Sequence, residues 1–150
     1  MGDTKSFEAA RAESIAANRE FIQGNPEPLK RLYSHGDDIT IFGGFGGLER
    51  GWAEVELRLD WAASQFAGGS VEEEALSVIV GADLACTVTI ERYDARLKDG
   101  SVFAQSLRVT QIFRRELAGW RLVHRHADPQ GRAPQARLSA TFSDGTPPAC

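Results

Sequence analysis

Apolar side chains recur at helical spacing from the start of the chain. Phe7, Ala10, Ser14, Ala17 and Phe21 make one stripe, with Ile15 and Ile22 beside it, so residues 4–23 read as an amphipathic helix that Thr4 or Asp3 can cap. Gly24-Asn25-Pro26 stops it, and Pro28 suits the first turn of a short second helix over about 27–34. A third helix is predicted over 51–66. Its buried stripe is Trp52, Val55, Leu59, Ala62 and Phe66, with Trp61 at the edge and Gly68-Gly69 as the stop.

Between the second and third helices, Asp38-Ile39-Thr40-Ile41-Phe42 is β-rich. Gly43-Gly44-Phe45-Gly46-Gly47 follows and reads as a tight connector rather than a ligand cradle; it carries neither a phosphate-loop nor a dinucleotide pattern. From residue 71 the period becomes two. Strands are predicted over 71–80, from Leu84 to about Leu97, on the far side of Asp99-Gly100, and over Trp120–Asp128.

Asp99-Gly100 reads as a two-residue type I′ turn, which would pair Lys98 with Ser101 and fix the register. Ile90 then faces Val109, Val88 faces Gln111, Cys86 faces Phe113 and Arg92 faces Leu107. On the other face Glu91 meets Arg108 and Thr89 meets Thr110. In the last strand Trp120, Leu122, His124 and His126 share one side, while Arg121, Val123, Arg125 and Ala127 share the other. A tight turn near Glu116-Leu117-Ala118-Gly119 sets the first group beside Val109, Gln111 and Phe113; a change of one residue would invert that assignment.

Composition narrows the classes. The chain has 150 residues, 42% hydrophobic and 25% charged, as expected of one globular domain with a real core. Its net charge of −4 is interleaved, so no nucleic-acid partner is expected. No apolar run is long enough to span a membrane and no secretory pattern opens the chain, so the cytoplasm is the default. Cys86 reads as a small hydrophobe, and a disulfide to Cys150 is not expected. Residues 129–150 are rich in Pro, Gly, Ser and Ala and read as a flexible tail, leaving a folded domain over 1–128.

Four stretches together resemble a known family: 38–43, Gly51-Trp52-Ala53-Glu54-Val55, Leu107 to Arg115, and Gly119-Trp120-Arg121-Leu122-Val123-His124-Arg125-His126. The chain over about 5–128 is similar to the nuclear transport factor 2-like superfamily, in its SnoaL-like and ketosteroid isomerase-like branch. That resemblance implies an α+β, cone-shaped fold, with N-terminal helices packed on a strongly curved antiparallel sheet. It implies a pocket between sheet and helices, and a homodimer through the outer sheet face. The superfamily includes isomerases, cyclases, dehydratases and pure binding domains, so fold alone assigns no activity.

In such a pocket the register above places His124, His126, Gln111 and Arg92, with Trp52 as a wall. Asp38 is the candidate general base, because a carboxylate in an apolar pocket has a raised pKa; His126 would then donate to a developing oxyanion. Asp38 as a solvated strand cap and His126 as a structural histidine are the rival readings. Tyr33 falls on a helix, but no second acid is evident on the strand face. Two histidines without a third close ligand make no metal site, and no cofactor is expected. The expected partner is a small apolar or carbonyl-containing molecule, either converted by acid–base chemistry or simply bound. A dimeric interaction module with a filled pocket is a further alternative.

Overall fold

The computed structural model describes residues 4–131. Among these described residues three helices are present, α1 (Thr4–Phe21), α2 (Glu27–Leu32) and α3 (Trp52–Gln65). Six strands accompany them: β1 (Thr40–Gly43), β2 (Gly46–Arg50), β3 (Phe66–Val80), β4 (Leu84–Leu97), β5 (Val102–Glu116) and β6 (Gly119–Pro129). They form one sheet in the order β2-β1-β6-β5-β4-β3. All neighbours are antiparallel except β1 and β6, which run parallel, so the sheet is mixed. The expected tail lies almost wholly outside the described residues; only its first residues, through Gly131, are seen, and Pro129 still belongs to β6.

The helical stripes bury as their spacing requires. Phe7, Ala10, Ser14, Ala17 and Phe21 of α1 are buried, as are Val55, Leu59 and Ala62 of α3, all against one face of the sheet. Phe7 sits edge-on to Phe113 at 5.1 Å and to Trp120 at 5.3 Å, which pins α1 across β5 and β6. Lys30 ties α2 to α3 through Glu56 at 3.2 Å and Asp60 at 3.1 Å.

The glycine run is more than a connector. β2 begins inside it, and Gly46 and Gly47 both have positive φ, +88° and +83°, which lets the chain reverse between β1 and β2. Periodicity missed β2 because a strand of glycine and exposed side chains shows no apolar alternation.

Two corrections to the expected register decide what the sheet presents. The β4–β5 loop has three residues, not two: the Leu97 N–H donates to the Ser101 carbonyl at 2.9 Å, and the Gly100 N–H to the Leu97 carbonyl at 3.0 Å, with Gly100 at φ +89°. The Asp99 carboxylate accepts from the Ser101 N–H at 2.8 Å and holds that geometry. Thr89 therefore pairs with Val109, Thr87 with Gln111 and Glu91 with Leu107, and β4 is turned over relative to expectation. The second correction is a bulge in β6. Phe113 pairs with Leu122 but Ile112 pairs with His124, so Val123 is an extra residue. Trp120 and Leu122 point inward as expected; beyond the bulge Arg125 and Ala127 point inward, and His124 and His126 do not.

Candidate functional site

Residues expected in the pocket are dispersed by these shifts. His124 and His126 lie on the outer face on either side of Phe42, with ring centroids 5.1 Å and 5.2 Å from it. His124 Nδ1 shares a 2.7 Å hydrogen bond with Thr40 Oγ1. Partial burial, then the neighbouring His126, lower the His124 pKa. Arg92 is exposed on the outer face and pairs with Glu74 at 2.5 Å. Asp38 is not in an apolar pocket: its side chain is 63% exposed and bonded to Arg114 at 2.6 Å, which pulls its pKa down rather than up. Trp52 stacks on His35 at 3.8 Å. Gln111 is buried on the inner face, as expected, but it does not line the cavity described below.

Glu91 and Arg108 do not meet across the outer face: Arg108 pairs with Ile90, and Glu91 with Leu107. Arg108 binds Asp128 through two bonds of 2.8 Å. Glu91 is buried beneath the helices with Thr87 and Thr89, and Arg125 is largely buried beside them, whereas the expected register puts Glu91, Thr89 and Arg125 on the outer face.

What the inward face builds is a polar wall in an aromatic cavity. Arg125 from β6 and Glu91 from β4 meet in a two-pronged ion pair of 2.8 Å and 2.7 Å. Tyr93 donates its phenol to the same carboxylate at 2.5 Å and accepts from Asn18 of α1 at 3.1 Å. Burial alone would raise the Glu91 pKa; the Arg125 charge, its hydrogen bonds and the Tyr93 phenol outweigh that and hold it below the usual carboxylate range. Burial raises Tyr33 and Tyr93, so both phenols are neutral near pH 7.

Tyr33, just after α2, completes the wall. It is only 1% exposed, and its hydroxyl has no hydrogen-bond partner among the described residues. Tyr33, Tyr93, Asn18 and Arg125 line a cavity whose other walls are Phe21, Ile41, Leu59, Phe66, Leu107 and the half-buried Phe45 and Phe103. The centre of a water molecule has about 60 Å³ to occupy there. Arg58 reaches the half-exposed end, where Phe45 packs on Trp61, Phe66 and Phe103.

The acid that is not evident on the strand face from sequence is Glu91, which the three-residue β4–β5 loop turns inward and Arg125 binds. Phe45 carried a signal, as the one large side chain inside a run of glycines. Among the described residues no group of three or more His, Cys, Asp and Glu is placed to hold a metal ion, and no helix is long and apolar enough to cross a membrane.

The sequence model of the SnoaL-like domain matches residues 13–128. No curated protein matches the chain. Among solved structures, an NTF2-like family protein from Streptomyces avermitilis superposes with a TM-score of 0.73 at 19% identity, over 87% of this chain and 98% of that one. A nuclear transport factor 2 superfamily protein from Salmonella enterica serovar Typhimurium gives 0.69 at 19%, over 85% and 95%. A ketosteroid isomerase-like protein from Erwinia carotovora atroseptica gives 0.65 at 18%, over 83% and 94%. At these identities the likeness is one of fold, a curved and unclosed sheet under helices.

Proposed function

The chain belongs to the SnoaL-like domain family, and from that premise we propose that it binds a small, largely apolar molecule through a neutral carbonyl group. The observation that carries this reading is the Tyr33 hydroxyl, a buried donor with no hydrogen-bond partner among the described residues, on a side chain that lines an aromatic cavity. An unpaired buried hydroxyl costs roughly 1–3 kcal/mol. A ligand oxygen that accepts its hydrogen bond removes that cost.

Charge selects among acceptors. Among the described residues two cations line the cavity: Arg125, which Glu91 already neutralises through both oxygens, and Arg58 at the half-exposed end, which pairs with Glu49 at 3.6 Å. A carboxylate ligand would bring an uncompensated charge into a nearly dry site, whereas a ketone, ester or amide would not. Among the described residues that line the cavity there is no carboxylate and no imidazole, which favours binding over proton transfer within it. The proton-transfer pair expected from sequence, Asp38 and His126, lies outside the lining.

Calorimetric titration tests the reading with acetophenone and benzoate, two probes alike in size and different in charge. The wild type is expected to bind acetophenone saturably and benzoate about tenfold more weakly or worse. Tyr33→Phe is expected to weaken acetophenone by a factor of about 5–10, one neutral hydrogen bond. Benzoate binding as tightly, or Tyr33→Phe leaving acetophenone unchanged, overturns it.

We also propose a homodimer through the outer sheet face. What supports it is the set of apolar side chains there: Ile79, Leu84 and Val88, with Leu76 at a bulge of β3, are all exposed beside Ile90 and Ile112. Contiguous exposed apolar surface of this kind marks an interaction site.

A further inference from the structure

We infer that the Gly43–Gly47 turn is the door of the cavity, that Phe45 is its size-selecting panel, and that Arg58 is the latch that positions it. The inference rests on the binding reading above and adds how a ligand gets in.

Volume makes a door necessary. The space of about 60 Å³ suits a few water molecules, while a cavity that takes benzene offers on the order of 150 Å³. A ring-bearing ligand therefore needs something to move. The floor cannot move cheaply: Ile41, Leu59 and Tyr93 are buried within helix and sheet. Phe45 is different. Its ring fills the half-exposed end, 5.3 Å from Phe103 and 5.6 Å from Phe66 and from Trp61. Its backbone is the tip of a turn with two glycines on each side. The β1–β2 ladder is irregular below that tip, between Ile41 and Gly43.

Glycine at 46 is explained by conformation and not by space. A Cβ there would meet nothing within 4 Å, yet φ is +88°. The position uses glycine's access to backbone states that other residues enter at a cost, which is what a pivot requires.

The latch is equally specific. Arg58, on α3, donates to the Gly46 carbonyl, lies 3.6 Å from Glu49 and stands 4.6 Å over the Trp61 ring. A Cβ on Gly47 would come within 3.3 Å of its guanidinium, so that glycine also makes room for it. One side chain thus joins the rigid helix to the tip of the turn and to Trp61, a ring Phe45 rests on. Releasing it frees the panel without touching the polar wall at Tyr33 and Arg125.

Stopped-flow mixing with the neutral fluorescent probe N-phenyl-1-naphthylamine tests the door, with displacement by acetophenone confirming that the signal comes from the cavity. Binding limited by an opening step is slow. Phe45→Ala is expected to raise the association rate about tenfold and to tighten binding of this bulky probe. Arg58→Gln, which keeps the side chain long and removes the charge, is expected to raise the rate by a factor of about 2–10 with a smaller change in affinity. Association at the wild-type rate in both variants overturns the door while leaving the binding reading intact. Slower and weaker binding in Phe45→Ala overturns it as well, because Phe45 would then hold the ligand rather than block its entry. If neither the wild type nor either variant binds acetophenone or the probe, the binding reading falls and the door with it.

Discussion

Glu91 and Arg125 are a buried charge pair, and such pairs are strongly asymmetric under mutation. Glu91→Gln leaves the Arg125 guanidinium buried without its counter-charge, and the expected loss in denaturant titration is about 3–5 kcal/mol. Removing both charges together, Glu91→Leu with Arg125→Met, should recover most of that loss, because the desolvation cost of both ions disappears. The pair also sets an acid limit. The folded pKa of Glu91 lies below its unfolded value near 4.5, so its contribution is fully present above that pH and is lost as pH falls through the folded value. His124 has the same sign from a higher start: its folded pKa lies below 6.5, so stability declines as pH drops from there through the folded value. Thermal unfolding followed from pH 7 downward should show the Tm falling, and falling less below pH 4.5 in the double variant. At this scale the sequence supplied the residue types but not their partners. Glu91 and Arg125 are 34 positions apart, and nothing local couples them.

Elements were the most readable level. Three helices and the four long strands follow from spacing alone, because stripes such as Phe7-Ala10-Ser14-Ala17-Phe21 have one way to bury. Phase along the strands was not readable, and two single-residue events account for it. Lys98 joins the β4–β5 loop and inverts β4; Val123 bulges and inverts the second half of β6. Neither leaves a mark in the apolar pattern. Leu84, Cys86, Val88 and Ile90 look like a core stripe yet face outward, while Thr87, Thr89 and Glu91 face the helices. Trp120 precedes the bulge, so its inward placement needed only the tight turn before it. It is 2% exposed and packs on Phe7, and Trp120→Ala should cost about 3–5 kcal/mol in denaturant titration. A loss below about 1 kcal/mol would place that ring outside the core.

For the whole molecule, the two sheet faces divide the work. The inner face, under the helices, carries an aromatic cavity with a neutral polar wall; the outer face carries exposed aliphatic side chains. Val88→Glu sets a charge in the middle of the outer face, and light scattering should show the wild type as a dimer and this variant as a monomer, with ligand binding retained in both. A monomeric wild type would leave the outer face without its proposed role. The inner face is tested most directly by thermal unfolding of Tyr33→Phe, with and without acetophenone. If the hydroxyl is held unpaired for a ligand, its removal relieves a buried polar cost: the free variant should melt about 2–4 °C above the wild type, and acetophenone should shift it less. A variant that melts below the wild type, or one that acetophenone stabilises as much as the wild type, would contradict the account.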